Sequence, residues 1–238
     1  MTQSIRIFTG FDNRESVGWS VFCRSVIENT TLPISITPID ERIAKSVGGR
    51  RDGTTAFSFA RFLVPALCGF HGRAIWCDGV DMLALGDFRE LWEVCDSLEQ
   101  MKMACYVVKH DYQTRHPRKF LGTAMETANP IKRRHNWSSL ILWNCSALKN
   151  RVLTPEFIRK SDGSFLHQFK WLDEFPELIG ELPKTWNWLV GEYPDAPTDA
   201  KLLHFTLGLP SLSRYYNKGR EAKLWREYAV MASRGMNV

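Results

Sequence analysis

From residue 4 to residue 110 the chain alternates short apolar runs with stretches of helical period, and this alternation restricts the fold more than any other feature. SIRIFTG sets Ile5, Ile7 and Thr9 against Arg6 and Phe8, and LPISITPID is a second strand. RAIWC is a third, almost wholly apolar as a strand covered on both faces must be, and MKMACYVV is a fourth. Between them VGWSVFCRSVIENT carries Val17, Val21, Phe22 and Val26 at helical spacing, with Ser16 as a candidate cap. FSFARFLVPALCGF reads as helix, with Pro65 kinking it or opening its second half, and DFRELWEVCDSLEQ is amphipathic. Strands alternating with helices predict an α/β fold: a Rossmann-like mixed, mostly parallel sheet flanked by helices. RIAKSVGGRRDGTT is expected to be a basic loop.

The pattern breaks at residues 109–136, which hold ten Lys, Arg and His with no clean period, so a functional or mobile loop is expected there. SSLILWN returns to strand, residues 155–173 read as helix, LLHFTLG is strand-like and GREAKLWREYAVMASRG is a terminal helix. The 238 residues make one domain, long enough to bury about three quarters of its extended-chain surface. Nine Trp and fourteen Phe require an aromatic core or a ring-lined cleft. The six cysteines form no CxxC pair and mostly lie in apolar runs, which predicts reduced, buried thiols rather than disulfides or a zinc site. With no stretch of about 18 apolar residues and no signal-peptide pattern at the start, no transmembrane segment and a cytoplasmic location are expected. The net charge of +5 favours an anionic ligand only weakly.

Two carboxylates interrupt the third strand's apolar run in AIWCDGVDMLALGD. In open α/β sheets ligands bind beyond the carboxyl ends of the strands, where Asp78 stands. Asp78 and Asp81, three apart, repel each other, and keeping both ionised at a half-buried strand end requires a cation. A divalent metal with oxygen ligands meets that requirement and bridges to a diphosphate. His204, in the apolar LLHFTLG, would complete an Asp/Asp/His set suited to manganese. The bland alternatives are a capped turn at Asp78, a solvated Asp81 and a core histidine.

IFTGFDNRES, FARFLVPAL, WCDGVDMLALGD, WSSLILWN, LPKTWNWLVGEY and LLHFTLG, in that order over roughly residues 4 to 210, resemble the family 8-like glycosyltransferases of the GT-A fold. The resemblance implies a metal-dependent enzyme (Mn²⁺ or Mg²⁺) that moves a sugar from a nucleotide-sugar donor, a UDP-sugar, with retention. It divides the chain into a nucleotide-binding half, residues 1–110, and an acceptor half, residues 111–238. Asp78, Asp81 and His204 are then the metal ligands, with Asp81 also catalytic. Thr9, Gly10, Asp12 and Asn13 match the positions at the base, and Arg61 faces the donor. Asp78 and Gly79 lie at its ribose and diphosphate. Trp137, Ser138 and Ser139 shape the sugar pocket, and Trp186, Asn187 and Gly208 complete the donor-binding set. Gln168 lies near the anomeric carbon.

The chain departs from that pattern in four places, the first being Trp137, Ser138 and Ser139 where the family reads asparagine, small residue, glycine, which leaves the donor sugar open. An extra residue separates the acids, His167 stands where the family has an Asp before Gln168, and the lysine that follows His204 in the family is absent, leaving Lys201, Arg214 and Lys218 as candidate substitutes. A glycan or lipid-linked acceptor, and peripheral membrane contact, fit the basic 109–136 region; a solvated loop is the simpler account. The alternative to an enzyme is a weak or inactive nucleotide-sugar binder of the same fold. Nucleic acid is not expected, because the basic residues do not alternate with aromatic platforms. Without a GxGxxG after the first strand, a dinucleotide oxidoreductase is disfavoured.

Overall fold

The computed structural model describes residues 4–46, 57–94, 96, 102–216 and 218–234. The strands are β1 (Ile5–Gly10), β2 (Ile34–Ile39), β3 (Arg73–Cys77), β4 (Met82–Ala84), β5 (Cys105–Val107), β6 (Arg118–Lys119), β7 (Thr127–Ala128), β8 (Leu140–Asn144), β9 (Ile179–Glu181), β10 (Trp188–Leu189) and β11 (Leu202–His204). The α-helices are α1 (Ser16–Asn29), α2 (Glu41–Ser46), α3 (Val64–Leu67), α4 (Phe88–Glu93), α5 (Pro155–Lys160), α6 (Gly163–His167) and α7 (Arg220–Arg234).

The central sheet has the order β2-β1-β3-β8-β5-β9. Only β8 runs against the rest, pairing antiparallel with both β3 and β5. Both faces are covered, as the apolar run of β3 requires. Ala74 and Trp76 pack with Phe62, Ile141 and Trp143 on one side, and Ile75 and Cys77 with Ile7, Phe22 and Leu142 on the other. Trp76, Trp143, Trp225, Phe22 and Phe62 are fully buried, so most of the aromatic surplus is core. The five described cysteines are free thiols, three of them buried; Cys95 lies outside the described residues.

A smaller sheet, β10-β11-β4, positions the site. In its antiparallel register His204 opposes Met82, and the Phe205 amide donates to the Asp81 carbonyl at 2.8 Å. Two segments about 120 positions apart are thereby locked side by side.

Several local expectations are corrected. Ser16 is the first residue of α1, not its cap; Asp12 caps the preceding turn by accepting from the Arg14 amide. Val17 faces solvent, whereas Val21, Phe22 and Val26 are buried. Of the two readings of Pro65 the second holds: it stands in the first turn of α3 and kinks no longer helix. Part of the basic loop is helix α2; residues 47–56 lie outside the described residues. Residues 155–173 form two short α-helices and a 3-10 turn, because Asp162 caps a new helix by accepting from the Phe165 amide and Phe169 adopts φ 54°. Residues 109–136 are not structureless. They contain the β6–β7 hairpin, braced by the Asn129 amide donating to Thr114 Oγ1 and the His116 carbonyl, both at 2.9 Å, and by Tyr112 stacked on His135.

Candidate metal and donor site

Beyond the carboxyl end of β3 the chain turns through Asp78–Gly79–Val80–Asp81, with the Val80 amide donating to the Asp78 carbonyl and the Met82 amide to the Gly79 carbonyl. Gly79 has φ 77°, and a Cβ there would sit 1.8 Å from Thr9 Oγ1, so only glycine allows this turn to fold against β1. The turn and β11 face a cavity of about 570 Å³. Asp78, Asp81 and His204 each offer it a ligand atom, and these atoms lie within 4.8 Å of one another.

The two aspartates have different company. Asp78 Oδ1 is 2.8 Å from Arg61 Nη1 and accepts from Trp76 Nε1 at 3.0 Å. Burial raises its carboxyl above the usual carboxylate range, against the pull of Arg61, and Asp81 pushes it further up. Arg61 is itself buried and donates to the Ser58 and Ser138 carbonyls. Asp81 Oδ2 lies 3.3 Å from His204 Nε2, and its Oδ1 is buried with no hydrogen-bond partner. Burial opposes its ionisation, but the charged form of His204, Lys119 and a backbone hydrogen bond together hold it below the usual range.

The His204 ring is oriented from behind. Its Nδ1 is 3.0 Å from Asn187 Oδ1; the Asn187 amide donates to Ser139 Oγ at 2.8 Å, and that hydroxyl donates to the Asn136 carbonyl at 2.7 Å. Because the Asn187 oxygen can only accept, Nδ1 carries the proton and Nε2 is directed at Asp81. This is the outer-layer arrangement of a metal-binding histidine. Two carboxylates, one with an orphaned oxygen, and an aimed imidazole are a donor set that could hold a metal ion.

Arg61, Asp78, Asp81, Ser138, Ser139, Gln168 and His204 line the cavity. Gln168 is held there by its amide donating to Ser164 Oγ at 2.7 Å. His167 lines it too, its Nδ1 hydrogen-bonded with Ser138 Oγ at 2.7 Å, and burial drives its basicity well below the ordinary imidazole value. Asn187 acts behind His204 rather than at the cavity wall. Trp186 is core, its ring edge-on to Phe88 at 5.6 Å. Trp137 donates from Nε1 to the His110 carbonyl at 3.0 Å. Gly208, at φ 115°, packs against Phe120 and Ser213. Thr9 is fully buried, and the Phe57 ring lies over Gly10 where a Cβ would meet it at 2.3 Å. Asp12 is buried and gripped by Arg14 Nε and Nη2, and Asn13 is exposed.

None of the three cations offered in place of the absent lysine lines the cavity. Lys201 pairs with Glu90 at 2.9 Å, Arg214 lies against Gly122 and Lys218 is exposed. Lys119, from β6, does line it. Burial lowers its basicity, while Asp81 and Asp78 counteract this. Lys132, Arg133, Arg134 and His135 continue the same wall. Glu15 was equally unforeseen. It lines the cavity at 1% exposure, and burial, then Asp81 and Asp12, push its carboxyl up to about 8. The excess of basic residues in 109–136 was the sequence signal for Lys119. Glu15 left none, since FDNRES reads as an ordinary polar turn.

No protein-family model matches the chain. It is 38% identical to "Protein CDI" of Arabidopsis thaliana over 214 residues, covering 86% of this chain and 78% of that protein. Among solved structures it is similar to the galactosyltransferase LgtC bound to donor and acceptor sugar analogs, with a TM-score of 0.55 at 11% identity, covering 95% of this chain and 96% of that one. The apo bifunctional glycosyltransferase WbbM gives a TM-score of 0.58 at 12% identity; the match covers 96% of this chain but spans only 52% of WbbM. At these identities the likeness is one of fold, and that fold is the glycosyltransferase fold.

Proposed function

This chain belongs to the family of the Arabidopsis thaliana Protein CDI, and from that premise and its glycosyltransferase fold we propose that it transfers a sugar from a UDP-sugar to an acceptor hydroxyl with retention, using Mn²⁺ or Mg²⁺ at Asp78, Asp81 and His204. The observation that carries this is the meeting of those three side chains in one cavity from segments about 120 positions apart, with Asn187 and Ser139 aiming the imidazole. LgtC, with the same fold, was crystallised with donor and acceptor sugar analogs.

When bound, the ion supplies Lewis-acid neutralisation of charge developing on the leaving diphosphate. The chain's own residues do the rest. Lys119 offers a second positive charge to that diphosphate from across the cavity, and in a half-buried site such a charge counts for far more than in water. Ser138 and Ser139 border the sugar, and Gln168 presents its amide to the reacting carbon. Thr9, Gly10, Asp12, Asn13 and Gly79, which the family resemblance puts at the nucleoside end, do not line the cavity; Phe57, which covers Gly10, does, and it is the group we assign to the nucleoside. Among the described residues lining the cavity the carboxylates are Glu15, Asp78 and Asp81; the two aspartates belong to the cluster with His204, and Glu15 is buried without a partner outside it. We therefore assign no enzyme nucleophile, and the acceptor attacks from the leaving-group side. The exposed Lys132 and Arg133 face an acceptor bearing negative charge, such as a lipid-linked phosphate or an acidic glycan.

The Arg61–Asp78 pair supports a second reading, a donor-binding protein with little turnover, because it already occupies one ligand oxygen. A thermal-shift panel of UDP-, GDP-, ADP- and CMP-sugars with and without Mn²⁺ tests the proposal. A ligand at 100 times its Kd stabilises by about 2.7 kcal/mol. A metal-dependent rise with UDP-sugars is expected, followed by slow UDP-sugar hydrolysis; binding without hydrolysis selects the second reading. No rise with any nucleotide sugar overturns both.

A further inference from the structure

Glu15 is the least accounted-for group in the molecule. It is 1% exposed, and neither Oε1 nor Oε2 has a hydrogen-bond partner. It occupies the cap position of α1, yet its side chain makes no capping bond. The neighbouring cation, Arg14, is bound to Asp12 at 2.6 Å. Buried carboxylates are costly unless paired or coordinated, and a buried orphan calls for a physical reason, a bound water or ion among them. Nothing in the packing or the helix therefore explains a glutamate here.

The same cavity contains two more orphaned oxygens. Asp81 Oδ1 and Thr206 Oγ1 are buried without partners, and Thr206 lies two residues beyond His204. Glu15 itself stands outside the Asp78–Asp81–His204 set whose ligand atoms converge. It shares the cavity with them and feels the charge of Asp81, yet its oxygens are not among the ligand atoms that converge within 4.8 Å.

We propose that Glu15 is the outer carboxylate of the metal site, its Oε atoms accepting hydrogen bonds from water on the ion held by Asp78, Asp81 and His204, with Thr206 Oγ1 sharing that water layer. This rests on the metal reading of the preceding subsection. It makes Glu15 a positioning residue: it holds the ion's water and orients the open coordination positions toward the donor, and it does not touch the reacting atoms.

The test is Mn²⁺ affinity without nucleotide, read from the electron paramagnetic resonance signal of free ion, together with melting temperature in metal-free buffer. For Glu15→Gln we expect Mn²⁺ binding about 10- to 100-fold weaker, the usual cost of losing an outer-layer partner. The metal-free melting temperature should hold or rise, because a neutral isostere replaces a buried, unpaired acid. Glu15→Asp, which keeps the charge but shortens the reach, should fall between the two and covers a Gln variant that does not fold. Unchanged Mn²⁺ affinity in Glu15→Gln overturns the inference and leaves the proposed function standing; reduced UDP-sugar affinity alongside it would mean that Glu15 reads a donor hydroxyl instead. Weaker metal binding together with a lower metal-free melting temperature also overturns it, as the mark of a structural role. Wild-type protein that binds no Mn²⁺ overturns both this inference and the metal reading beneath it.

Discussion

The two walls of the cavity are built differently. The acidic wall, with Glu15, Asp78 and Asp81, stands on the turns that follow β1 and β3, anchored in a sheet packed on both faces. The basic wall, with Lys119 and residues 132–135, stands on a hairpin of two-residue strands and the segment after it. Rigid strand ends hold ligand atoms in a fixed geometry, whereas short paired segments with few buried apolar groups open at lower cost. The contrast assigns the acidic wall to the fixed ion and the basic wall to whatever enters and leaves.

The harshest challenge to this comparison separates the two aspartates. Asp81→Asn should abolish any Mn²⁺-dependent melting shift and lower sugar transfer by a factor on the order of 10³, with a metal-free stability loss limited to its 3.3 Å contact with His204. Asp78→Asn leaves Arg61 buried without its carboxylate, so it should also cost about 3 kcal/mol in urea unfolding. Equal stability losses in the two variants would end the distinction between a partnered and a reserved carboxylate.

Acid should strike the basic wall first. Burial depresses His110 to about 3 and His135 to about 4, from 6.5. The unfolded chain therefore takes up protons below pH 6.5 that the folded chain refuses, and stability falls as pH drops from there toward 4. A melting series across that range should show this loss, and His135→Gln should reduce it while leaving the shares of His110 and His167.

Lys119→Met should reduce turnover about 10- to 100-fold while Mn²⁺ binds no more weakly, since a cation beside Asp81 is removed. Parallel losses in metal affinity and turnover would place Lys119 with the ion rather than the leaving group. Ser139→Ala frees the Asn187 amide and, through it, the His204 ring; a roughly tenfold loss of Mn²⁺ affinity is expected by calorimetry. The smallest effect belongs to Lys132→Glu with Arg133→Glu. These exposed residues should alter stability by less than about 0.5 kcal/mol and raise KM for an anionic acceptor only at low salt.

The strands and helices of the first half were legible because hydrophobic period is a local property: RAIWC is buried on both faces, and Val21, Phe22 and Val26 point inward. The start of α3 at Pro65 and the placement of Asp78 beyond a strand end follow from equally local rules. The 109–136 segment was misread because side-chain bonds to distant residues order it, such as Thr114 Oγ1 to Glu192 at 2.5 Å, and these leave no periodic trace. His204 could be named from its apolar flanks and a family resemblance, but the chain that aims it runs through Asn187, Ser139 and Asn136, which are scattered in sequence.

The sequence by itself determined a two-face-covered α/β sheet, a pair of acids emerging at its rim and a distant histidine with apolar neighbours, because burial and turn chemistry act over a few residues. Only the tertiary structure decided that Asp78 is answered by Arg61 while Asp81 keeps an orphaned oxygen, that Lys119 rather than a C-terminal cation faces them, and that Glu15 is buried without a partner. Those are facts about which groups share a low-dielectric space, and that sharing is fixed by the β4–β11 register and the packing of the α1 entry turn, neither of which is written in any one segment.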